Sequence, residues 1–279
     1  MKKIICIFLY FCFCISNGQV KRFIYEYEFI PDSIKSKNIS KEIMFLDIID
    51  NKSEFYGYQK FQIDSTIIAD AKKGLFSMPP NREFVDYRIK KNITSNEINL
   101  ITGSHLYEIS DRRRQEWRIS NETDKVLGYS VQKAELDFAG RKWVAWFSKD
   151  IPIQDGPYKF HGLPGLILKM QDSTKSHNFI IKGIFSLSEN EMIYPQRDND
   201  KIIKVNEIEY KKLYTEYRND PVKNLRGRMP DQTDENGNFI SGEQALRRSE
   251  AAFKKRLNAD NNVIELDLLK KKFQIFINH

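Results

Sequence analysis

The feature that most constrains this chain is a run of short period-two segments, each bounded by turn residues. Residues 22–30 place Phe23, Tyr25, Tyr27 and Phe29 on one face and Ile24, Glu26, Glu28 and Ile30 on the other. That alternation is the pattern of a strand with a core-facing side. Segments of the same kind recur at 42–49, 55–63, 83–90, 97–102, 105–110, 115–120, 125–138, 142–148, 166–171 and 177–185. Ala139-Gly140 reads as a tight hairpin between two of them, and no strand alternates with a helix, so an antiparallel meander is expected. A face so rich in aromatics must be covered by the sheet itself, a helix or a ligand. The predicted fold is therefore mainly β with C-terminal helices (α+β), a curved antiparallel sheet or half-barrel.

The last third changes character. Asn206 followed by Glu209 is a capping box, Val205 can staple onto Tyr210, and Tyr210, Leu213, Tyr214 and Tyr217 recur at helical spacing until Asp220-Pro221. Ser241 and Gln244 cap a second helix reaching Leu257, with Leu246 and Phe253 on its stripe. Between them lies a polar, Gly/Pro-punctuated stretch, a surface loop. Residues 263–269 alternate Ile264, Leu266 and Leu268 with Glu265 and Asp267 and are expected to return as a strand. The expected organisation is a signal over 1–18 and one domain over 19–279, β-rich over 19–190 and helix-containing over 200–279.

Lys2 and Lys3, the apolar residues 4–15 and the small Ser16 and Gly18 predict a secretory signal cleaved before Gln19. Cys12 and Cys14 raise the alternative of a lipoprotein signal, but Phe11 and Phe13 stand where a small residue is needed. All three cysteines, Cys6, Cys12 and Cys14, lie in this segment, so the expected mature chain has no disulfide, thiol nucleophile or Cys-based metal site. The net charge of +7 becomes +5 once Lys2 and Lys3 are gone. An exported protein with dispersed basic residues is not expected to bind nucleic acid, while contact with an anionic membrane surface is compatible with that charge.

The most specific string is Gly156-Pro157-Tyr158-Lys159-Phe160-His161-Gly162-Leu163-Pro164-Gly165-Leu166-Ile167-Leu168. It resembles the GLPGLI family, and the likeness extends through Gln132-Lys133-Ala134, Gly140-Arg141, Ala145-Trp146-Phe147 and Ile151-Pro152. Where many members of that family carry Cys, this chain has Val131. The resemblance implies an exported Bacteroidota protein, often encoded near outer-membrane receptor systems, and assigns no biochemical function. Physically, Gly162, Leu163, Pro164, Gly165, Leu166 and Ile167 describe a conformationally defined corner feeding a buried strand. Trp143, Trp146, Leu163, Leu166 and Leu168 are expected in the core beneath it.

Lys133, Arg141, Lys159 and His161 are the candidate ligand-binding residues, since the three cations could converge on an anion or carboxylate. The plainer expectation is that they pair with strand-surface acids such as Glu135 or Asp137. The four histidines, His105, His161, His177 and His279, show no metal spacing, and there is no nucleophile elbow, phosphate loop or dinucleotide fingerprint. Asp234, Asn236, Gly237 and Glu243 fit positions 3, 5, 6 and 12 of a calcium loop, but Gln232 replaces its first Asp. That makes the stretch a calcium candidate only, and no catalytic residue, metal or cofactor is assigned. The leading expectation is a non-catalytic periplasmic or envelope module that uses an apolar sheet face or pocket. Its partner would be an outer-membrane receptor, another envelope protein or a small apolar ligand. The alternatives are a hydrolase-like enzyme with a cryptic polar site near His161, or a structural accessory of an outer-membrane receptor system.

Overall fold

The computed structural model describes residues 20–75, 85–95, 97–102, 107–187, 194–195, 202–234 and 236–270. The expected signal segment, its cysteines, His105 and His279 lie outside the described residues. One 12-stranded sheet dominates. Its strands are β1 (Val20–Phe29), β2 (Ser40–Ile49), β3 (Lys52–Gly57), β4 (Tyr87–Asn92), β5 (Glu97–Thr102), β6 (Tyr107–Asp111), β7 (Arg118–Val126), β8 (Tyr129–Phe138), β9 (Arg141–Ser148), β10 (Leu166–Asp172), β11 (His177–Leu187) and β12 (Ile203–Asn206). The spatial order is β12-β6-β5-β4-β3-β2-β1-β11-β10-β9-β8-β7. Helices α1 (Tyr58–Lys72), α2 (Glu207–Asn219) and α3 (Gly242–Ala259) complete the fold, with a two-stranded ribbon of β13 (Gln232–Thr233) and β14 (Phe239–Ile240). The mainly β architecture with C-terminal helices is the one expected.

The sheet must roll. β6 and β7 are consecutive in the chain but lie ten strand spacings apart in the sheet. A flat sheet would separate them by about 48 Å, whereas the connection 112–117 reaches at most about 25 Å. The result is an open, strongly curved sheet that does not close. All neighbouring strands are antiparallel except β12, which runs parallel to β6. This direction delivers Asn206 and the start of α2 to the end of β6, where the Glu207 carboxylate accepts from Arg112 N at 2.8 Å.

Phe23, Tyr25 and Tyr27 face the concave side and are buried, as the alternation of β1 predicts. Ala139 and Gly140 both have positive φ, 53° and 82°, which matches the twist of a two-residue hairpin. The expected single strand over 125–138 is divided by a second such turn at Leu127 and Gly128, φ 49° and 83°. An exposed Leu gave no turn signal there. The expected strand over 55–63 ends at Gly57 and continues as α1, which has no side-chain cap hydrogen bond to mark its start. α1 covers the convex side, where Phe45, Tyr56 and Tyr194 form a small second core with Ile24 and Phe61. Both predicted capping boxes, Asn206 with Glu209 and Ser241 with Gln244, are formed.

The concave side is filled by the β9–β10 connection, residues 149–165. Phe160 packs against Trp143 and Phe138 at ring separations of 4.8 and 5.8 Å, and Tyr158 against Tyr87 at 5.2 Å. Trp143, Leu163, Leu166 and Leu168 are buried as expected, while Trp146 points outward and is half-buried. Residues 263–269 are not a strand. They form a non-repetitive segment with a short 3-10 turn at Leu266–Leu268. Their alternating pattern joins no sheet among the described residues and is read by side chains instead.

Candidate functional site

Three buried cations from three parts of the chain fix the central loop and the C-terminal segment: Lys91 and Lys159 hold the loop, and Arg141 holds the C-terminal segment. Lys91 on β4 donates to Gly156 O at 2.6 Å and Tyr158 O at 3.0 Å and pairs with Asp155. Lys159 in the loop bridges Asp111 at 2.8 Å and Glu265 at 2.6 Å. Arg141, at the start of β9, pairs with Asp172 at 3.0 Å and donates to the carbonyls of Asn262, Val263 and Ile264. Lys91, Lys159 and Arg141 are all buried. A buried charge is tolerated only when it is paired, and each of these is.

The second of these centres is the densest. Asp111 ends β6, and Arg113 follows it in the β6–β7 connection. Arg113 donates to Asp111 at 2.5 Å, Glu265 at 2.8 Å and Asp267 at 3.3 Å, and its guanidinium lies 4.5 Å over the Phe138 ring. Tyr158 OH donates to Glu265 at 2.6 Å. Burial pushes the Glu265 carboxyl up, but Lys159 and Arg113 outweigh it and hold it below its ordinary range. Asp111 behaves alike: burial raises it, and Arg113 and Lys159 bring it well down. Tyr158 adopts φ 54°, a left-handed backbone uncommon for a bulky residue. Its ring and hydroxyl contacts hold it there.

The third centre includes His177, the first residue of β11. Tyr27 OH lies 2.6 Å from Nδ1, and Nε2 lies 2.9 Å from Asn262 O. The carbonyl can only accept, so Nε2 carries the proton and Nδ1 accepts from Tyr27. Burial and the neighbouring Arg141 charge lower the His177 pKa to about 4, so the ring is neutral at pH 7.

The four sequence-derived candidates go to different places. Lys133 lies on the outer surface with Glu122 at 2.9 Å and Glu135 at 3.4 Å. Arg141 and Lys159 occupy separate buried centres. The His161 ring is beside its own loop, Nδ1 3.0 Å from Lys159 O, and burial lowers its pKa. The His161 backbone is pinned by Gln115 and Trp117 at 3.1 and 2.8 Å. In the motif, Gly162 has φ 87° and Gly165 φ 153°. A side chain on Gly165 would run into the Ser148 carbonyl, whereas Gly162 has open space around it. The calcium-candidate carboxylate Asp234 accepts from Asn236 N, Asn238 N and Asn238 Nδ2 at 3.0, 2.8 and 3.1 Å. Glu243 pairs with Arg247 on α3.

Sequence reasoning missed Lys91, Asp111, Arg113, Asp155, Asp172 and Glu265. The bond from Lys159 to Asp111 spans 48 residues, and that from Tyr158 to Glu265 spans 107. No local spacing reports such pairs.

The architecture is thus a rolled open sheet whose concave side is filled by its own Gly/Pro loop. Two solved structures of PNGF-II are similar in fold over 72% of this chain, at TM-scores of 0.50 and 0.51 and 18% identity. This chain spans about a third of PNGF-II, 34% of its length, and at that identity the likeness concerns the fold alone. A structure of MucB in complex with MucA(peri) matches at TM-score 0.32 and 8% identity, over 67% of this chain and 57% of that one. A search of curated proteins finds no match. Residues 139–169, from the β8–β9 turn through the loop into β10, match a family described as "Protein of unknown function (Porph_ging)".

Proposed function

We propose that this is an exported envelope protein, related to the GLPGLI group, that acts as a non-catalytic binding or accessory module. The observation that carries the reading is how the buried charged groups are used. Buried Lys91, Lys159 and Arg141, with half-buried Arg113, each hold their partners within the protein, so their chemistry is spent on fixing the loop and the C-terminal segment. The concave side that an apolar ligand would need is packed with Tyr158, Phe160 and Leu163. Two surface hollows are lined in part by polar groups. One, of about 630 Å³, lies between β6, β12 and the start of α2; the other, of about 340 Å³, is beside Asp50, Asn51 and Gln154. Recognition therefore falls to the outside of the sheet and to its C-terminal covering. On the outside, Ile43, Glu26, Ile180, Lys169, Trp146 and Lys133 succeed one another across six strands. That mixture of apolar and charged side chains suits a protein partner. The test is native mass spectrometry of the protein taken from its own periplasm. A retained protein partner supports the reading; turnover of a periplasmic extract component that is lost on His161→Ala would replace it with an enzyme.

A further inference from the structure

The segment 261–269 is held in a way that ordinary core segments are not. Its apolar residues Val263, Ile264, Leu266, Leu268 and Leu269 are all only part-buried. Its polar residues are the buried ones: Asn262 is 6% exposed and Glu265 4%. A segment fixed by the hydrophobic effect would show the reverse. This one is fixed by polar readout. The Arg141 fork takes three successive carbonyls, of Asn262, Val263 and Ile264, at 2.6 to 3.2 Å. Three carbonyls in a row reach one guanidinium because the chain bends at Asn262 and Ile264, so the fork reads a bent main chain whatever its sequence.

Side chains then supply selectivity. The Asn262 carboxamide accepts from Arg141 Nη2 at 2.7 Å and donates to Ile30 O at 2.8 Å. Three residues on, one carboxylate receives three donors: Tyr158 OH and Lys159 Nζ on Oε1, both at 2.6 Å, and Arg113 Nη2 on Oε2 at 2.8 Å. These donors come from the central loop and the β6–β7 connection, and Arg141 and His177 come from β9 and β11. They form a receptor for an Asn-x-x-Glu segment, assembled on the rolled sheet.

We propose that this receptor is a peptide-recognition groove, filled in cis by the C-terminal segment and used in trans by an acidic segment of a partner protein. The inference rests on the binding-module reading and names its site. A tethered occupant competes at high effective concentration, so a free peptide binds the intact chain weakly until the cis segment is weakened.

The test uses the full chain. A labelled synthetic peptide matching residues 260–269 is titrated, by fluorescence anisotropy, against wild type and the Glu265→Gln and Asp267→Asn variants. Each changes the cis occupant and leaves the groove intact. Glu265→Gln should bind the peptide at least tenfold more tightly than wild type does, and Asp267→Asn should lie between them. A peptide carrying Gln at the position of Glu265 should bind the Glu265→Gln chain at least tenfold more weakly than the unmodified peptide. Asp267 is half-exposed, so its variant keeps the test open if Glu265→Gln does not fold. A folded variant that binds both peptides alike, or neither at millimolar concentration, overturns the groove. A concentration-dependent dimer of the variants in sedimentation, with the peptide unable to dissociate it, would make the occupant a second copy and overturn the partner. If native mass spectrometry shows a retained partner while these titrations fail, the binding-module reading stands and only this site falls.

Discussion

Residues 149–165 and 261–269 both cross the interior side of the sheet without belonging to it, and they are held by opposite means. The first buries its apolar groups: Phe160 and Leu163 are fully enclosed, and the following strand is buried at Leu166, Ile167 and Leu168. The second buries its Asn and Glu and leaves its leucines half-exposed. The first therefore behaves as core, unable to leave without opening a cavity. The second behaves as a bound ligand that happens to be tethered. Shared location under one sheet does not imply shared energetics, and mutation should separate the two.

The largest effect is expected at the loop's exit. Gly165→Ala sets a Cβ against the Ser148 carbonyl, whose residue pairs with Leu166 in the β9–β10 ladder. We expect a loss of about 4 kcal/mol or more, seen as absence of soluble protein or a collapse of the urea midpoint. Next, Leu166→Ala should cost about 2–5 kcal/mol through lost transfer energy and a cavity. The matching change in the C-terminal segment, Leu268→Ala, should cost under about 1.5 kcal/mol, because its side chain is only partly withdrawn from water. Equal losses for the two leucines in denaturant titrations would break the comparison.

The polar attachment predicts a pH signature. His177 is neutral in the fold with its pKa lowered to about 4, and in the unfolded chain it titrates near 6.5. Between those values the unfolded state binds the extra proton. The stability contributed by the neutral ring is thus complete above pH 6.5 and is lost as pH falls toward 4. The difference between pH 7 and pH 4.5 should be about 2–3 kcal/mol. His177→Gln should remove most of that difference, and an unchanged slope would detach His177 from the effect. The lowered carboxyls of Glu265 and Asp111 act with the same sign at lower pH. Among the glycine changes the smaller is Gly162→Ala: with open space around it, only the left-handed backbone is penalised, at about 1–2 kcal/mol. A Gly162→Ala as damaging as Gly165→Ala would show that the motif's two glycines do the same job.

Much of the fold was legible because it is local. Alternation located β1 and its inward Phe23, Tyr25 and Tyr27; Ala139-Gly140 announced a hairpin; Asn206 with Glu209 and Ser241 with Gln244 announced two helices. α1 was illegible because aromatic alternation runs across Gly57 into Tyr58 and no capping side chain interrupts it. The segment 263–269 alternates like a strand and is not one, because alternation reports a two-faced environment without saying that a neighbouring strand makes it. At the site, Arg141, Lys159 and His161 could be nominated as polar groups in or near an unusual string. Their partners could not be nominated, since Asp111, Asp172, Asn262 and Glu265 come together only when the sheet rolls.

The sheet order has a consequence for how the molecule comes into being. β1 sits in the middle of the sheet, paired with β2 on one side and with β11 on the other, Val20 opposite Leu187. Its first neighbour is made at once, but its second lies more than 150 residues further along the chain. Until β11 arrives, the strand bearing Phe23, Tyr25 and Tyr27 is a bare edge, the kind of surface on which chains join one another. Pairing at that range is also slow. A newly made chain must therefore pass through a stage with an unguarded aromatic edge, and aggregation at that stage should depend on β1 more than on the final stability of the protein.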